Sequence, residues 1–121
     1  MVSRQDIVEA ARSYVGLPFS GPSRGFLIAV AERLNLPHRS ASDLRRKFRS
    51  EHGIKPGDVV VLRLTATTAQ NAIVTDRNGD LCLVRPDQRT GKIVEHILDQ
   101  NFRNRILQVF ELLEGLSDGN A

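Results

Sequence analysis

The chain has little of what usually narrows the class of a protein. Its 121 residues include one cysteine, Cys82, which excludes an intrachain disulfide framework and fits a reducing compartment. No apolar run is long enough for a signal-peptide core or a membrane span, and the first residues lead straight into an amphipathic pattern. We therefore expect synthesis in the cytoplasm and no membrane partner.

Signals for metals and cofactors are also missing. The three histidines are scattered and lack the spacing of metal ligands: His38, His52 and His96. Gly25 and Gly91 are isolated, so there is no glycine loop for a phosphate. We expect no metal and no cofactor. Cys82 lies among apolar residues of a predicted strand, which favours a buried, unreactive thiol over a reactive one.

The composition is that of one compact domain. Hydrophobic residues make up 40% of the chain and charged residues 26%, and 121 residues are enough to bury a core. The sequence shows no repeat, low-complexity tract or linker. We predict a single domain over residues 1–115 and a frayed polar tail over 116–121.

The first half of the chain has helical periodicity. A capping pair, Ser3 and Asp6, precedes a helix that ends at Gly16-Leu17-Pro18. A second helix is predicted from Ser23 or Arg24 to Asn35, and its apolar character on every side predicts that it is buried. A third helix is predicted over residues 40–51.

The second half has the pattern of strands. Asn78-Gly79 predicts a tight hairpin turn, and a short helical turn is predicted over residues 99–103. The predicted strands cover residues 58–64, 72–75, 81–85, 92–97 and 106–112. Helices followed by an antiparallel meander make this an α+β domain.

Basic residues cluster around the predicted third helix. The net charge is only +3, but five cations lie close together: Arg39, Arg45, Arg46, Lys47 and Arg49. Such a cluster can bind nucleic acid or an acidic partner. We favour a solvated helix face, because no aromatic residues are interleaved for base stacking.

Several motifs, taken in order, resemble the NlpC family of papain-like cell-wall peptidases, especially its phage tail-tip and gene-transfer-agent branch. The matching segments are residues 6–12, Gly16-Leu17-Pro18-Phe19, residues 25–28, Lys55-Pro56-Gly57-Asp58, and residues 72–76, 91–96 and 104–106. The resemblance implies a papain-like fold with N-terminal helices packed on an antiparallel sheet. It also implies a hydrolase ancestry and a place in cell-wall or phage-tail assemblies, including incorporation into a phage-like particle.

The resemblance also implies where catalytic residues would lie. The nucleophilic cysteine of the family falls on Ser23, its histidine base on Asn71 and its third, orienting residue on Arg85. The acid before the cysteine becomes Pro22, and the tyrosine of the turn becomes Phe19. Each position therefore departs from the family pattern.

These replacements remove the expected chemistry. An amide such as Asn71 cannot take a proton, and Arg85 stays protonated. A serine needs a general base within hydrogen-bond reach. Ser23 is therefore interpreted as a helix N-cap, although a histidine such as His38 near it would make a rearranged peptidase.

We accordingly expect a catalytically inactive domain that binds a protein partner or a cell-wall peptide. The predicted binding cleft is lined by four residues, with Arg85 holding a carboxylate: Phe19, Ser23, Asn71 and Arg85. One alternative is an active cell-wall amidase or peptidase built around Ser23. A second, less favoured alternative is nucleic-acid or acidic-partner binding through residues 40–49.

Overall fold

The computed structural model describes residues 2–21, 23–35, 47–48 and 53–112, with only the backbone described at 23–24 and 47–48. Helices precede an antiparallel sheet, which confirms the α+β class. The predicted tail at 116–121 lies outside the described residues. Within the described ranges, no helix combines the length and the apolar character that crossing a membrane requires.

In the part of the chain that the structure describes, two helices form the first layer. Helix α1 (Arg4–Arg12) begins at the predicted capping pair, since Ser3 Oγ accepts from the backbone N–H of Asp6 and the Asp6 carboxylate accepts from the N–H of Ser3. Helix α2 (Ser23–Arg33) buries Phe26 and its neighbours against the sheet, as its apolar pattern predicts. Asn35 follows it with a φ of 56°.

Among the described residues, the second layer is a six-stranded sheet. Its strands are β1 (Lys47–Phe48), β2 (Asp58–Arg63), β3 (Ala69–Arg77), β4 (Asp80–Asp87), β5 (Lys92–Ile97) and β6 (Ile106–Glu111), and a short helix, α3 (Gln100–Arg103), precedes β6. The strand order is β1-β6-β2-β3-β4-β5, and the neighbouring strands pair antiparallel. The five predicted strands are all present, and β3 is longer than predicted.

The hairpin between β3 and β4 has the predicted turn. Asn78 and Gly79 have φ values of 50° and 85°, and Arg77 pairs with Asp80 on either side of them. Two consecutive residues with positive φ make the tight turn that matches the twist of antiparallel strands.

The predicted third helix is wrong at residues 47–48. These residues form β1, in which Lys47 lies opposite Glu111 and Phe48 opposite Phe110 of β6. The prediction rests on local signals near Ser40, and a strand partner far along the chain overrides such signals. The remainder of 40–51 lies outside the described residues.

The sheet has a core on each face. One core packs α1 and α2 against the sheet and includes Phe26, Val59, Ile73 and Val84. We call this side the helix face. The core on the other side, which we call the outer face, contains Val60, Leu62, Ala72, Val74, Leu83 and Leu98, with Phe102 of α3 packed against it. Alternate residues of each strand therefore supply different cores.

The Pro-Gly-Asp motif before β2 holds α1 in place. Arg4 Nη1 lies 2.7 Å from Oδ1 of the fully buried Asp58, whose other oxygen accepts from the Lys55 N–H. Gly57 has a φ of +92°, and a Cβ added there would lie 3.0 Å from the Cβ of Arg4. Glycine is therefore required at position 57 both for the positive φ and for the close approach of α1.

A second ionic contact ties the other end of α1 to β5. One carboxylate oxygen of Glu95 accepts from Arg12 Nε at 2.9 Å and from the Thr75 hydroxyl at 2.6 Å. The other oxygen accepts from the Arg77 guanidinium. Burial raises the pKa of Glu95, but these hydrogen bonds and the charge of Arg12 outweigh it and hold the pKa below its usual value.

Replacing Gly57 with alanine should lower the free energy of unfolding by about 2–4 kcal/mol, because backbone strain and steric overlap with Arg4 add together. Gly79→Ala is the matched control, since Gly79 has a similar φ of +85° and nothing within 4 Å of an added Cβ. It should cost only about 1–2 kcal/mol. Urea unfolding measures both, and equal losses would contradict the close-approach role of Gly57.

Glu95→Gln should destabilise the protein at pH 7 by about 1–3 kcal/mol, because hydrogen bonds to a charged acceptor are lost. The lowered pKa means that the ionic contribution is complete above pH 4.5 and disappears as pH falls through the lower pKa of the folded state. The destabilisation by the variant should therefore shrink in acid.

The matched control is Glu9→Gln on the exposed side of α1. It should leave the unfolding free energy nearly unchanged between pH 7 and pH 3. A Glu95→Gln deficit that stays constant over this range would show that the ionised carboxylate does not supply the stabilisation.

Candidate functional site

The helix face near the start of α2 is lined by aromatic and amide side chains. The Phe19 ring makes an edge contact with Phe26, with centroids 6.3 Å apart. It also lies beside the first turn of α2, where a Cβ added to Gly25 would lie 3.6 Å from Phe19 Cζ. Phe19 therefore forms an apolar wall at the predicted cleft.

Asn71 lies on the same side of the sheet as α2. It pairs with Val61 in the β2–β3 ladder, two residues before Ile73, whose side chain packs in the core that contains Phe26. Side chains two residues apart lie on the same face of a strand, so Asn71 points to the helix face. Asn71 is buried there. The predicted base position thus faces the predicted nucleophile helix, but it carries an amide.

Arg85 does not belong to this cleft, and the predicted four-residue lining is wrong at this position. Ile73 pairs with Val84 on the helix face, so the next residue, Arg85, points to the outer face. The contacts of its side chain agree, since they are made with residues of the outer face. Only the resemblance placed Arg85 near Asn71. Arg85 is one position along β4 from Val84, whose side chain lies on the helix face with Asn71.

Pro86, two residues after Val84 and paired with Ile93 of the core under the helices, lies on the same face of the sheet as Asn71. Proline has no side-chain donor or acceptor. Pro86 therefore adds no polar atom of its side chain to the face that Asn71 shares with α2.

Arg85 instead sits in a polar and aromatic group that we call the outer-face cluster: Gln70, Arg85, His96, Phe102 and Arg105. Arg85 Nε donates to His96 Nε2 at 2.8 Å, and the guanidinium carbon lies 4.9 Å from the centre of the Phe102 ring. Arg105 stacks on the same ring at 5.6 Å, and the His96 ring lies 4.4 Å from it. Three nitrogen-bearing side chains thus surround one phenyl ring.

His96 contacts Arg85 and its own neighbour Ile97 through its two ring nitrogens. Its Nε2 accepts a hydrogen bond from Arg85 Nε, and its Nδ1 lies 3.0 Å from the Ile97 carbonyl oxygen. With both nitrogens engaged on the outer face, His96 is separated by the sheet from Asn71 and α2. It cannot serve as a base on the helix face.

Several predicted residues cannot be placed. The backbone of Ser23 begins α2, but its side chain lies outside the described residues, as do Pro22, His38 and His52. The same holds for the basic group Arg39, Arg45, Arg46 and Arg49 and for the side chain of Lys47.

Cys82 is buried, as the sequence predicts, with 2% of its surface exposed. Burial, followed by the charge of Glu95, raises the pKa of its thiol. In the described part of the chain, no three or more His, Cys, Asp and Glu side chains are arranged to hold a metal ion.

The outer-face cluster was not predicted from the sequence. Phe102 lies in the predicted helical turn and Arg105 in the matched segment 104–106, but neither signal indicates a contact with Arg85 of β4. The available signal was the alternation of side chains along residues 81–85. Neighbouring side chains of a strand point to opposite faces, so Arg85 points to the outer face once Val84 is assigned to the core under the helices.

No protein-family model matches this chain, and no curated protein matches it either. We therefore infer function from the two faces of the sheet and from the motifs of the sequence.

Proposed function

We propose that this chain is a papain-like, NlpC-type domain that has lost peptidase chemistry and acts as a binding or structural module in a phage-tail or cell-wall-associated assembly. The observation that carries the proposal is the helix face beside α2. Asn71, onto which the resemblance carries the base, faces α2 there with Pro86 on the same face, and the one histidine among the described residues lies on the opposite face.

The local architecture supports the comparison with a papain-like site. α2 begins at Ser23, so this residue lies at the N-terminal end of a largely buried helix, where the cysteine of the family is expected. Asn71 faces this helix from β3. An imidazole at position 71 would face the helix that begins at position 23, as the activation of a nucleophile there requires.

The chemistry of the present residues does not support acyl transfer. A serine hydroxyl at a helix N-terminus stays protonated at neutral pH without a base, and an amide does not accept the proton. The half-buried Phe19 ring, supported by the buried Phe26, suits binding of an apolar or peptide group on the helix face.

The first test is incubation of the chain and of Ser23→Ala with purified peptidoglycan stem peptides, analysed by mass spectrometry. Neither protein should cleave them. Cleavage by the unaltered chain that disappears in Ser23→Ala would overturn the proposal, because Ser23 would then be a nucleophile.

A second test restores the proposed ancestral pair in a Cys82→Ser background. The pH dependence of alkylation gives the pKa of the new thiol in Ser23→Cys, alone and combined with Asn71→His. Adding the histidine should lower the thiol pKa from near its ordinary value to below about 7.5, because a facing imidazolium stabilises the thiolate.

Gln70→His is the matched control for this test. Gln70 neighbours Asn71 in the same strand but points to the outer face, where its side-chain amide donates to the Pro86 carbonyl. A histidine there should leave the thiol pKa unchanged. If Asn71→His also has no effect in a folded protein, position 71 is not the base position and the NlpC-type assignment is wrong.

A further inference from the structure

We propose that the outer-face cluster is a binding site for a carboxylate group of a peptide, with Arg85 as the principal contact and Arg105 as a second source of positive charge. This site lies on the side of the sheet away from α2. The inference is therefore independent of the proposed loss of catalysis and would hold even if the helix face were active.

Arg85 is positioned in advance by its neighbours. Its Nε is committed to His96 at 2.8 Å, and the Phe102 ring supports the flat side of the guanidinium. Its Nη1 makes only long contacts, 3.4 Å to Gln70 Oε1 and 3.4 Å to the Pro86 carbonyl. Nη2 has no hydrogen-bond partner among the described residues. The half-buried guanidinium is therefore held in one orientation, and its Nη1 and Nη2 atoms have N–H donors available for a ligand.

Arg85 has no hydrogen-bonded acidic partner among the described residues. Asp87 Oδ1 is 3.9 Å from Arg85 Nη1, which is too far for a hydrogen bond, and its other oxygen accepts from the Thr90 hydroxyl. Burial lowers the pKa of Arg85, Asp87 opposes this effect, and the charge of Arg105 adds to it. Desolvation and a second cation both favour an incoming anion.

The charge balance favours a carboxylate over a phosphate. Arg85 and Arg105 carry two positive charges, and Asp87 offsets one of them. One negative charge remains to be supplied, and the planar oxygens of a carboxylate fit the edge of a guanidinium.

The test is a titration at pH 7 of the full chain, followed by the NMR signals of the Arg85 Nε–H and the His96 ring. N-acetyl-alanine presents a carboxylate at a peptide C-terminus, and N-acetyl-aspartic acid α-amide presents one on a side chain. Both should shift these signals saturably, and the stronger binder identifies the source of the carboxylate. N-acetyl-alanine amide, which has no carboxylate, should cause no shift.

Arg85→Lys keeps the charge but removes the planar fork, and it should weaken carboxylate binding about tenfold or more. Arg105→Gln should weaken it less. Arg33→Gln is the matched control, since Arg33 also lies over an aromatic ring, 5.9 Å from the centre of Tyr14, but on the helix side. It should bind as the unaltered chain does.

Three results would overturn the proposal. One is no saturable shift with either carboxylate. Another is tighter binding of inorganic phosphate than of N-acetyl-alanine, which would assign the site to a different anion. The third is an equal loss of binding in Arg33→Gln and Arg85→Lys, which would show attraction by net charge alone. The His96 ring signal in each variant reports whether the cluster is intact.

Discussion

The alternation of side chains along the β3–β4 ladder determines what each face of this protein can do. The pair Ile73 and Val84 fixes the register, and its side chains belong to the core under the helices. Asn71 consequently shares a side with α2, while Arg85 belongs to the other side. A shift of one residue in this register would exchange the two faces, and the buried apolar residues on both sides oppose such a shift.

Helix α1 holds the helix layer in position through an arginine near each end. Arg4 reaches Asp58 at the start of β2 and Glu111 at the end of β6, while Arg12 reaches Glu95 on β5. The two contacts span the sheet from its β6 side to its β5 edge. Helix α2 lies against α1 and the central strands, with Phe26 between the rings of Tyr14 and Phe19. The positions of the side chains beside Asn71 therefore depend on how α1 and α2 are held against the sheet.

Much of this fold follows from local sequence signals. The Ser3–Asp6 capping box, the Asn78-Gly79 turn and the strand over residues 92–97 are all encoded by residues close together in the chain. β1 was not predictable in this way, because it depends on pairing with β6, more than fifty residues away along the chain. Long-range pairing has no local signature, and helical signals near residue 40 suggested a different structure.

The candidate site residues were also predictable only in part. The resemblance singled out Asn71 and Arg85 as site positions, and both are buried or half-buried polar groups in the structure. It did not separate them, because a motif comparison gives position along the chain and not the side of the sheet. The partners of Arg85 also come from three different elements, β3, β5 and α3, which only the folded chain brings together.

The separation of the two faces is the central claim, and side-chain NOEs test it most directly. Arg85 should show NOEs from its Hε and Hδ protons to the His96 and Phe102 rings and none to the Phe19 or Phe26 rings. NOEs from Arg85 to Phe19 or Phe26 would contradict the account, because Arg85 would then share the helix face with Asn71.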